Sequence, residues 1–263
     1  MELRHSQATE NNSSIRILVE GPERNGAWFD QHARAGAVIL VGGATLTDFR
    51  VRVAQSHLRS DLYPGFWSLA GIADGDGSMW TAPLSSGSDA SAIPSTNAIQ
   101  CLPLSSFDDA KRFPNVAAIR FSTNGQPVLE NVLTIRGQRS IVDLPSLLVP
   151  WLAFAWGTAA RSNPLYEGVG LPSAVMVQTA FAMSGMELSP GLTSTSTCPE
   201  AIWQAALWWH DYYRKTADIS GTGHAAQGAD AADTAVRSQV PEGEAVIRQP
   251  AAAVTAESPA AAI

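Results

Sequence analysis

Residues 55–61, with the sequence Gln-Ser-His-Leu-Arg-Ser-Asp, form the densest group of polar side chains in the apolar half of the chain. The segment brings together an imidazole, two hydroxyls, a guanidinium and a carboxylate. A histidine can act as a general base when a neighbouring group orients its ring, so His57 is a candidate base and Asp61 its candidate orienting group. The alternative interpretation is structural: His57 caps a turn, and Arg59 and Asp61 are solvated.

Cys198 is the second residue whose position suggests chemistry. It lies directly before Pro199, and proline is typical of the first position of a helix. The positive end of a helix dipole favours a thiolate, which is the nucleophilic form of cysteine. A buried, inert thiol is the alternative interpretation.

The elements that would position these residues are mainly strands first and helices afterwards, which predicts an α+β fold. An Asp-Gly turn at 74–77 predicts a hairpin that pairs strand 69–73 with residues 79–82. Further strands are predicted at 15–20, 37–41, 48–53, 97–102, 116–121 and 127–135. Helices are predicted at 145–161, 172–186 and 199–215.

Three of these segments occur in an order that resembles a known family. Residues 35–43 are a glycine-bounded apolar strand, residues 67–75 are a strand that ends in Asp-Gly, and residues 171–181 open an apolar helix. Over residues 36–190 this order resembles the circularly permuted papain-like hydrolases of the NlpC type. In that family the middle strand carries a histidine and the late helix carries a cysteine nucleophile. The resemblance implies a small antiparallel sheet or half-barrel packed against C-terminal helices.

The chain departs from this family at both catalytic positions. Leu69 stands where the histidine would be, and Pro172 and Ser173 stand where Cys-Ser would be. Leucine cannot accept a proton and proline carries no nucleophile, so the resemblance implies the fold without its standard chemistry. Ser173 retains a hydroxyl, for which the structural alternative is to cap N–H groups in the first helical turn.

Two functional hypotheses follow from this pattern. The first is a non-catalytic papain-like domain that serves as a binding or structural component of a bacterial multi-protein system. It would hold a protein or peptide partner in a cleft lined by Trp67, Leu69, Trp80 and Pro172. The alternative is an amidase or peptidase with a rewired site, in which Ser173 or Cys198 is the nucleophile, His57 the base and Asp61 the orienting group. An unrelated α+β module that resembles the family by chance is the third interpretation.

Composition narrows the classes of ligand and location. A net charge of -7 and a pI near 5.2 argue against a nucleic-acid partner, which normally requires a basic face. The two cysteines form neither a disulfide framework nor a metal-ligand pattern, and we expect no metal and no cofactor. No apolar run reaches the ~20 residues that span a bilayer, and residues 1–14 have no signal-peptide pattern, so we expect a cytoplasmic protein.

The domain organisation predicted is one papain-like α+β domain at 15–216 between two disordered ends. The first end is a polar lead at 1–14, and the second is a tail at 217–263 that is rich in Ala and Gly and has no aromatic residue. Five of the eight tryptophans lie at 151–209, which predicts a wide aromatic core or a buried interface.

Overall fold

The computed structural model describes residues 15–18, 24–84, 95–121, 125–158, 162–189, 191–220 and 245–248; at 15–18, 210–220 and 245–248 it describes the backbone. The predicted lead at 1–14 lies outside the described residues. So does most of the predicted tail, in which the described parts are the end of the last helix and the strand at 245–248.

The described chain is an α+β fold, as the order of elements predicts. Its strands are β1 Ile15–Leu18, β2 Val38–Gly42, β3 Leu69–Ala73, β4 Ser78–Thr81, β5 Gln100–Pro103, β6 Asn115–Ile119 and β7 Ala245–Arg248. Its α-helices are α1 Gly26–His32, α2 Leu46–Ala54, α3 Gly125–Gly137, α4 Leu144–Trp156, α5 Pro172–Ala182 and α6 Pro199–Ser220. Short 3-10 turns lie at Ser56–Leu58, Leu104–Phe107, Pro164–Glu167 and Ser194–Ser196.

Five antiparallel strands in the order β5-β4-β3-β2-β6 form most of one sheet, with β5 at its edge. β7 pairs with β6 in antiparallel fashion, and β1 pairs with β7 in parallel. Successive side chains of a strand point to opposite faces, so Val38 and Leu40 enter the core under the C-terminal helices while Ile39 and Val41 enter a smaller core under α1. The sheet is therefore covered on both faces.

The segment predicted as a strand at 48–53 is the helix α2. The helix begins with a capping box: the Asp48 N–H donates to Thr45 Oγ1 (3.2 Å) and the Thr45 N–H donates to Asp48 Oδ2 (3.3 Å). Six residues of alternating polarity fit a short helix as well as a strand, and here the cap decides between them. The strand prediction was wrong for this reason.

The strand predicted at 127–135 is also helical, within α3. Val128, Val132 and Ile135 are buried at the spacing of one helix face. The strand predicted at 97–102 forms only as β5, because Asn97 and Ala98 have positive φ angles of 50° and 61°. The buried Asn97 side chain instead binds the carbonyls of Ile135 and Val142 and accepts the Leu144 N–H, which joins this turn to α3 and α4.

Helix α5 packs directly on strand β3, and α6 joins the same core through its first turns. Trp203 of α6 lies edge-to-face against Trp67, with ring centroids 5.6 Å apart, and both side chains are buried. The late tryptophans divide between core and surface: Trp151 and Trp203 are buried, whereas Trp156 and Trp208 are more than half exposed.

Candidate functional site

Ser173, the serine candidate for a nucleophile, lies in the first turn of α5 and is 1% exposed. Its Oγ accepts the backbone N–H of Ala70 in β3 (3.2 Å). This contact joins the helix to the strand across 103 residues of sequence. The hydroxyl therefore caps a strand N–H, and not the N–H groups of its own helix.

Leu69, which the resemblance matches to a histidine position, contacts the core on the far side of the sheet from α5. It packs with the cluster that contains Phe29 and Met79, whereas its neighbour Ala70 packs under α5. Alternation along a strand makes these two directions mutually exclusive. A histidine at position 69 of this chain would point away from the helix that carries Ser173.

His57 and Asp61 are close in sequence but are not hydrogen-bonded to each other. Arg59 lies between them in the sequence, and its Nε (2.9 Å) and Nη2 (2.5 Å) donate hydrogen bonds to the Asp61 carboxylate. This hydrogen bond lowers the pKa of Asp61 below its ordinary value. The His57 ring lies instead against Tyr166, at 5.1 Å between ring centroids. Within the described residues, no hydrogen bond joins His57 to Ser173 or Cys198.

Cys198 immediately precedes α6 and is 1% exposed. Burial raises the pKa of its thiol to about 12, in the direction opposite to the lowering that a helix N-terminus can produce. The thiol is therefore protonated at neutral pH, which matches the interpretation of a buried, inert cysteine. Cys101, the other cysteine, is exposed on β5.

The four residues predicted to line a binding cleft are separated by the sheet and the core. Trp67 and Pro172 are buried, and Trp80 is partly buried on β4 with the Arg136 guanidinium 5.9 Å from its ring centroid. Leu69 lies on the opposite face of the sheet. The four side chains do not converge on one accessible groove.

A buried polar cluster centred on Glu200 is the main feature that the sequence did not indicate. The Glu200 side chain has no exposed surface; it accepts the Phe66 N–H at Oε2 (2.9 Å) and the Gln204 amide at Oε1 (2.7 Å). Arg59 lies 3.9 Å from the same carboxylate. Burial raises the pKa of Glu200 despite these partners. An acidic residue beside Pro199 in the first helical turn was the available signal, but it indicates a helix start and not burial.

Gln55 completes this cluster and is fully buried. Its amide donates to the carbonyls of Trp67 (2.7 Å) and Val51 (3.0 Å), and its Oε1 accepts the Glu200 N–H (2.9 Å). These bonds connect the end of α2, the lead into β3 and the start of α6. The cluster therefore fixes three elements relative to one another.

Several exposed apolar side chains lie on α2 and on segments near it. We define the α2 surface as the following exposed side chains, whose exposure runs from 40% for Val53 to 71% for Tyr166: Leu46, Phe49, Val53, Leu62, Tyr63, Trp156 and Tyr166.

Hydrogen bonds place the end of α4 and loop 59–66 beside α2. Leu46, Phe49 and Val53 form one stripe of α2, since residues three and four apart lie on the same helix face. Arg50 borders the stripe on one side and donates to the Ala155 carbonyl (2.9 Å), which places the end of α4 there. Arg52 borders it on the other side and donates to the Gly65 carbonyl (2.7 Å), which places loop 59–66 there.

The described residues contain no group of three or more His, Cys, Asp or Glu side chains that could hold a metal ion. None of the described helices combines the length and apolarity that crossing a membrane requires.

Comparison of the chain with protein-family models, with curated proteins and with solved structures finds no match.

Proposed function

We propose that this chain is a non-catalytic domain of the papain-like kind that serves as a binding or structural component of a bacterial multi-protein system, with a protein partner that docks on the α2 surface. The observation that carries the proposal is that Ser173 and Cys198, the candidate nucleophiles, are both buried in the core, whereas the apolar side chains of the α2 surface are exposed to solvent. The packing of α5 on β3 supports the papain-like part of the proposal, because the resemblance implies that contact, whereas the orientation of Leu69 away from α5 does not match it.

Catalysis by a rewired dyad requires a nucleophile within hydrogen-bond reach of a base. Ser173 Oγ is bonded to a strand N–H, the Cys198 thiol has a pKa raised to about 12, and His57 lies against an exposed tyrosine ring. Each group thus has a structural role or environment that does not favour nucleophilic chemistry. These placements favour the non-catalytic hypothesis over the amidase or peptidase alternative.

The α2 surface has the composition of a protein-binding surface. Monomeric soluble proteins rarely leave large contiguous apolar patches exposed, and aromatic residues are enriched where partners bind. Phe49, Tyr63, Trp156 and Tyr166 supply four aromatic rings around one short helix. The partner we propose therefore offers a complementary apolar protein surface.

Loop 59–66 presents two members of this surface on a braced backbone. Leu62 has a positive φ of 58°, which costs a non-glycine residue roughly 1–2 kcal/mol. The loop is held by the Arg59–Asp61 pair, by the Tyr63 N–H on Asp61 (3.0 Å) and by the Phe66 N–H on Glu200 (2.9 Å). A strained backbone persists where its surroundings over-determine it, and such sites are often functional. Here the bracing holds Leu62 and Tyr63 out in solvent, each 69% exposed.

The non-catalytic part is tested with serine- and cysteine-directed activity probes on the intact chain. Cys101 is exposed and would react with a cysteine probe without being catalytic, so the parent protein for this assay carries Cys101→Ser. We expect no labelling of the native parent above a heat-denatured control. Labelling that disappears both in His57→Ala and in either Ser173→Ala or Cys198→Ala would establish the rewired hydrolase and overturn the proposal.

The binding part is tested with a photo-cross-linking amino acid placed at Tyr63 or Tyr166, with Leu133 on α3 as the matched exposed position (51% exposed). We expect one defined protein to be cross-linked from the two α2-surface positions and not from Leu133. The cross-linked protein is then purified and its affinity measured for the wild type, Phe49→Asp and Leu133→Asp.

A hot-spot aromatic residue contributes ~2 kcal/mol or more, so Phe49→Asp should weaken this affinity by roughly thirtyfold while Leu133→Asp leaves it unchanged. Equal affinities of the two variants would refute the assignment of the α2 surface. If the cross-linked product contains only a second copy of the chain, the α2 surface mediates self-association and the proposal of a different protein partner is wrong.

A further inference from the structure

A concave surface site lies at the loop that follows β5. It is an open depression of about 560 Å³, and Ser105, Ser106, Lys111 and Arg112 in its lining are exposed. Its basic, hydroxyl and aromatic lining comes from Arg24, Ser105, Ser106, Lys111, Arg112 and Phe113. This loop does not contribute to the proposed partner-binding surface.

The frame of the pocket is held by a buried asparagine. Asn25 has no exposed surface, and its Nδ2 donates to the carbonyls of Phe107 (2.8 Å) and Phe113 (3.0 Å). The two rings at the ends of the loop also pack together, with centroids 5.1 Å apart. Both ends of segment 107–113 are thus fixed to one side chain, so the loop is pre-organised and a ligand need not order it.

Two aspartates also line the pocket, and both carboxylates already have donors. Asp108 accepts the Gly26 N–H (2.6 Å) and pairs with Arg24 Nε (3.2 Å). Asp109 accepts the backbone N–H groups of Lys111 (2.9 Å) and Arg112 (3.3 Å). These bonds orient the carboxylates toward the backbone and partly neutralise them.

Two cations and two hydroxyls of the pocket, in contrast, retain free donor capacity, while Arg24 is already paired with Asp108. Among the described residues, no side-chain hydrogen bond or ion pair occupies Ser105, Ser106 or Lys111. The Arg112 guanidinium lies 5.1 Å from the Phe113 ring centroid, in a cation–π contact. Lys111, Arg112 and the two hydroxyls border one concavity and provide several donors, as a tetrahedral oxyanion with several acceptor oxygens requires.

From this arrangement we infer that the pocket binds the phosphoryl group of a small phosphate ester. Lys111 and Arg112 supply charge-assisted hydrogen bonds, the serine hydroxyls supply neutral ones, and the Phe113 ring borders the organic remainder. The chain carries a net charge of -7, so its overall field repels anions and binding depends on this local group.

The inference is tested by titrating the intact protein with phenyl phosphate and, separately, with benzoate, while backbone amide signals are followed by NMR. The two probes share an aromatic ring and differ in the anionic group, so they separate a phosphoryl site from a general carboxylate or apolar site. We expect saturable shifts in segment 105–113 that are stronger for phenyl phosphate. Arg112→Gln should weaken the binding by about tenfold, the loss expected for one charge-assisted bond.

Arg139→Gln is the matched control, because Arg139 is exposed and pairs with Asp143 on another part of the surface. It removes the same charge without touching the pocket, and its affinity should equal that of the wild type. Equal weakening by the two substitutions, equal affinity for both probes, or shifts that never saturate would each overturn the inference. Thermal unfolding of both variants verifies that the fold is retained.

Discussion

The substitution Gln55→Leu tests whether the buried polar cluster holds the three elements that meet at loop 59–66. Gln55 and Glu200 are both fully buried. Leucine has a similar size but no polar atoms. The Glu200 N–H, the Trp67 carbonyl and the Val51 carbonyl would therefore each lose the partner that Gln55 provides at 2.9, 2.7 and 3.0 Å.

The magnitude follows from counting these three backbone groups. A buried donor or acceptor left without a partner costs roughly 1–3 kcal/mol, so the three together cost about 3–9 kcal/mol. Domains of this kind are stable by only about 5–15 kcal/mol in total. We therefore expect Gln55→Leu to remove a large part of the free energy of unfolding, although leucine gains some apolar burial at the same position.

The assay is urea unfolding followed by tryptophan fluorescence, because Trp67 and Trp203 are in contact beside the cluster and report its disruption. Gln138→Leu is the matched control: Gln138 is exposed, and the same chemical change there should alter stability by no more than ~0.5 kcal/mol. An equal loss in the two variants, or none in either, would refute the view that Gln55 connects α2, β3 and α6.

Two further predictions concern the ionisable groups of the core. Burial raises the pKa of Glu200, so the folded chain binds the carboxyl proton more tightly than the unfolded chain does. The contribution of Glu200 to the free energy of unfolding therefore falls as the pH rises from the ordinary carboxyl pKa through the raised pKa. Glu200→Gln should flatten that dependence in urea unfolding between about pH 4 and about pH 8, whereas Glu187→Gln, at an exposed position, should retain it. In native protein at neutral pH a maleimide should modify Cys101 and leave Cys198, whose thiol is buried and has a pKa raised to about 12; rapid modification of both cysteines before denaturation would contradict this placement.

The proposed function depends on the burial of the two candidate nucleophiles and on the exposure of apolar side chains around α2. Ser173 and Cys198 each occupy a position at a helix start that can activate a nucleophile, yet both are buried among core residues. In the same structure, aromatic side chains that would normally be buried lie around α2. The phosphoryl pocket adds a site of different chemistry on the loop after β5, so the two proposals can fail independently.

Local signals in the chain were sufficient for several elements. The Asp-Gly turn predicted the hairpin of β3 and β4, and Pro172 and Pro199 predicted the starts of α5 and α6. Continuous apolar residues predicted β2, which is buried on both faces. These features depend on residues close in sequence, so their physical causes were visible there.

Where a segment's sequence pattern fits both a strand and a helix, contacts with residues outside the segment decided its secondary structure. Residues 48–53 alternate like a strand, but the capping box from Thr45 makes them helical. The face of β3 on which Leu69 lies could not be read from alternation, because alternation gives two sides without saying which one α5 covers.

The candidate site shows the same division between local and distant causes. The sequence placed His57 and Asp61 four residues apart, but the side chain of Arg59 takes the carboxylate and the histidine turns to Tyr166. Glu200 meets the Phe66 backbone across 134 residues and Gln55 across 145, and neither partner can be inferred from residues near Glu200. By itself the sequence determined the α+β order and the starts of α5 and α6. Only the tertiary structure decided which polar groups are buried together and which apolar groups stay in solvent, because both depend on distant segments that compete for the same neighbours.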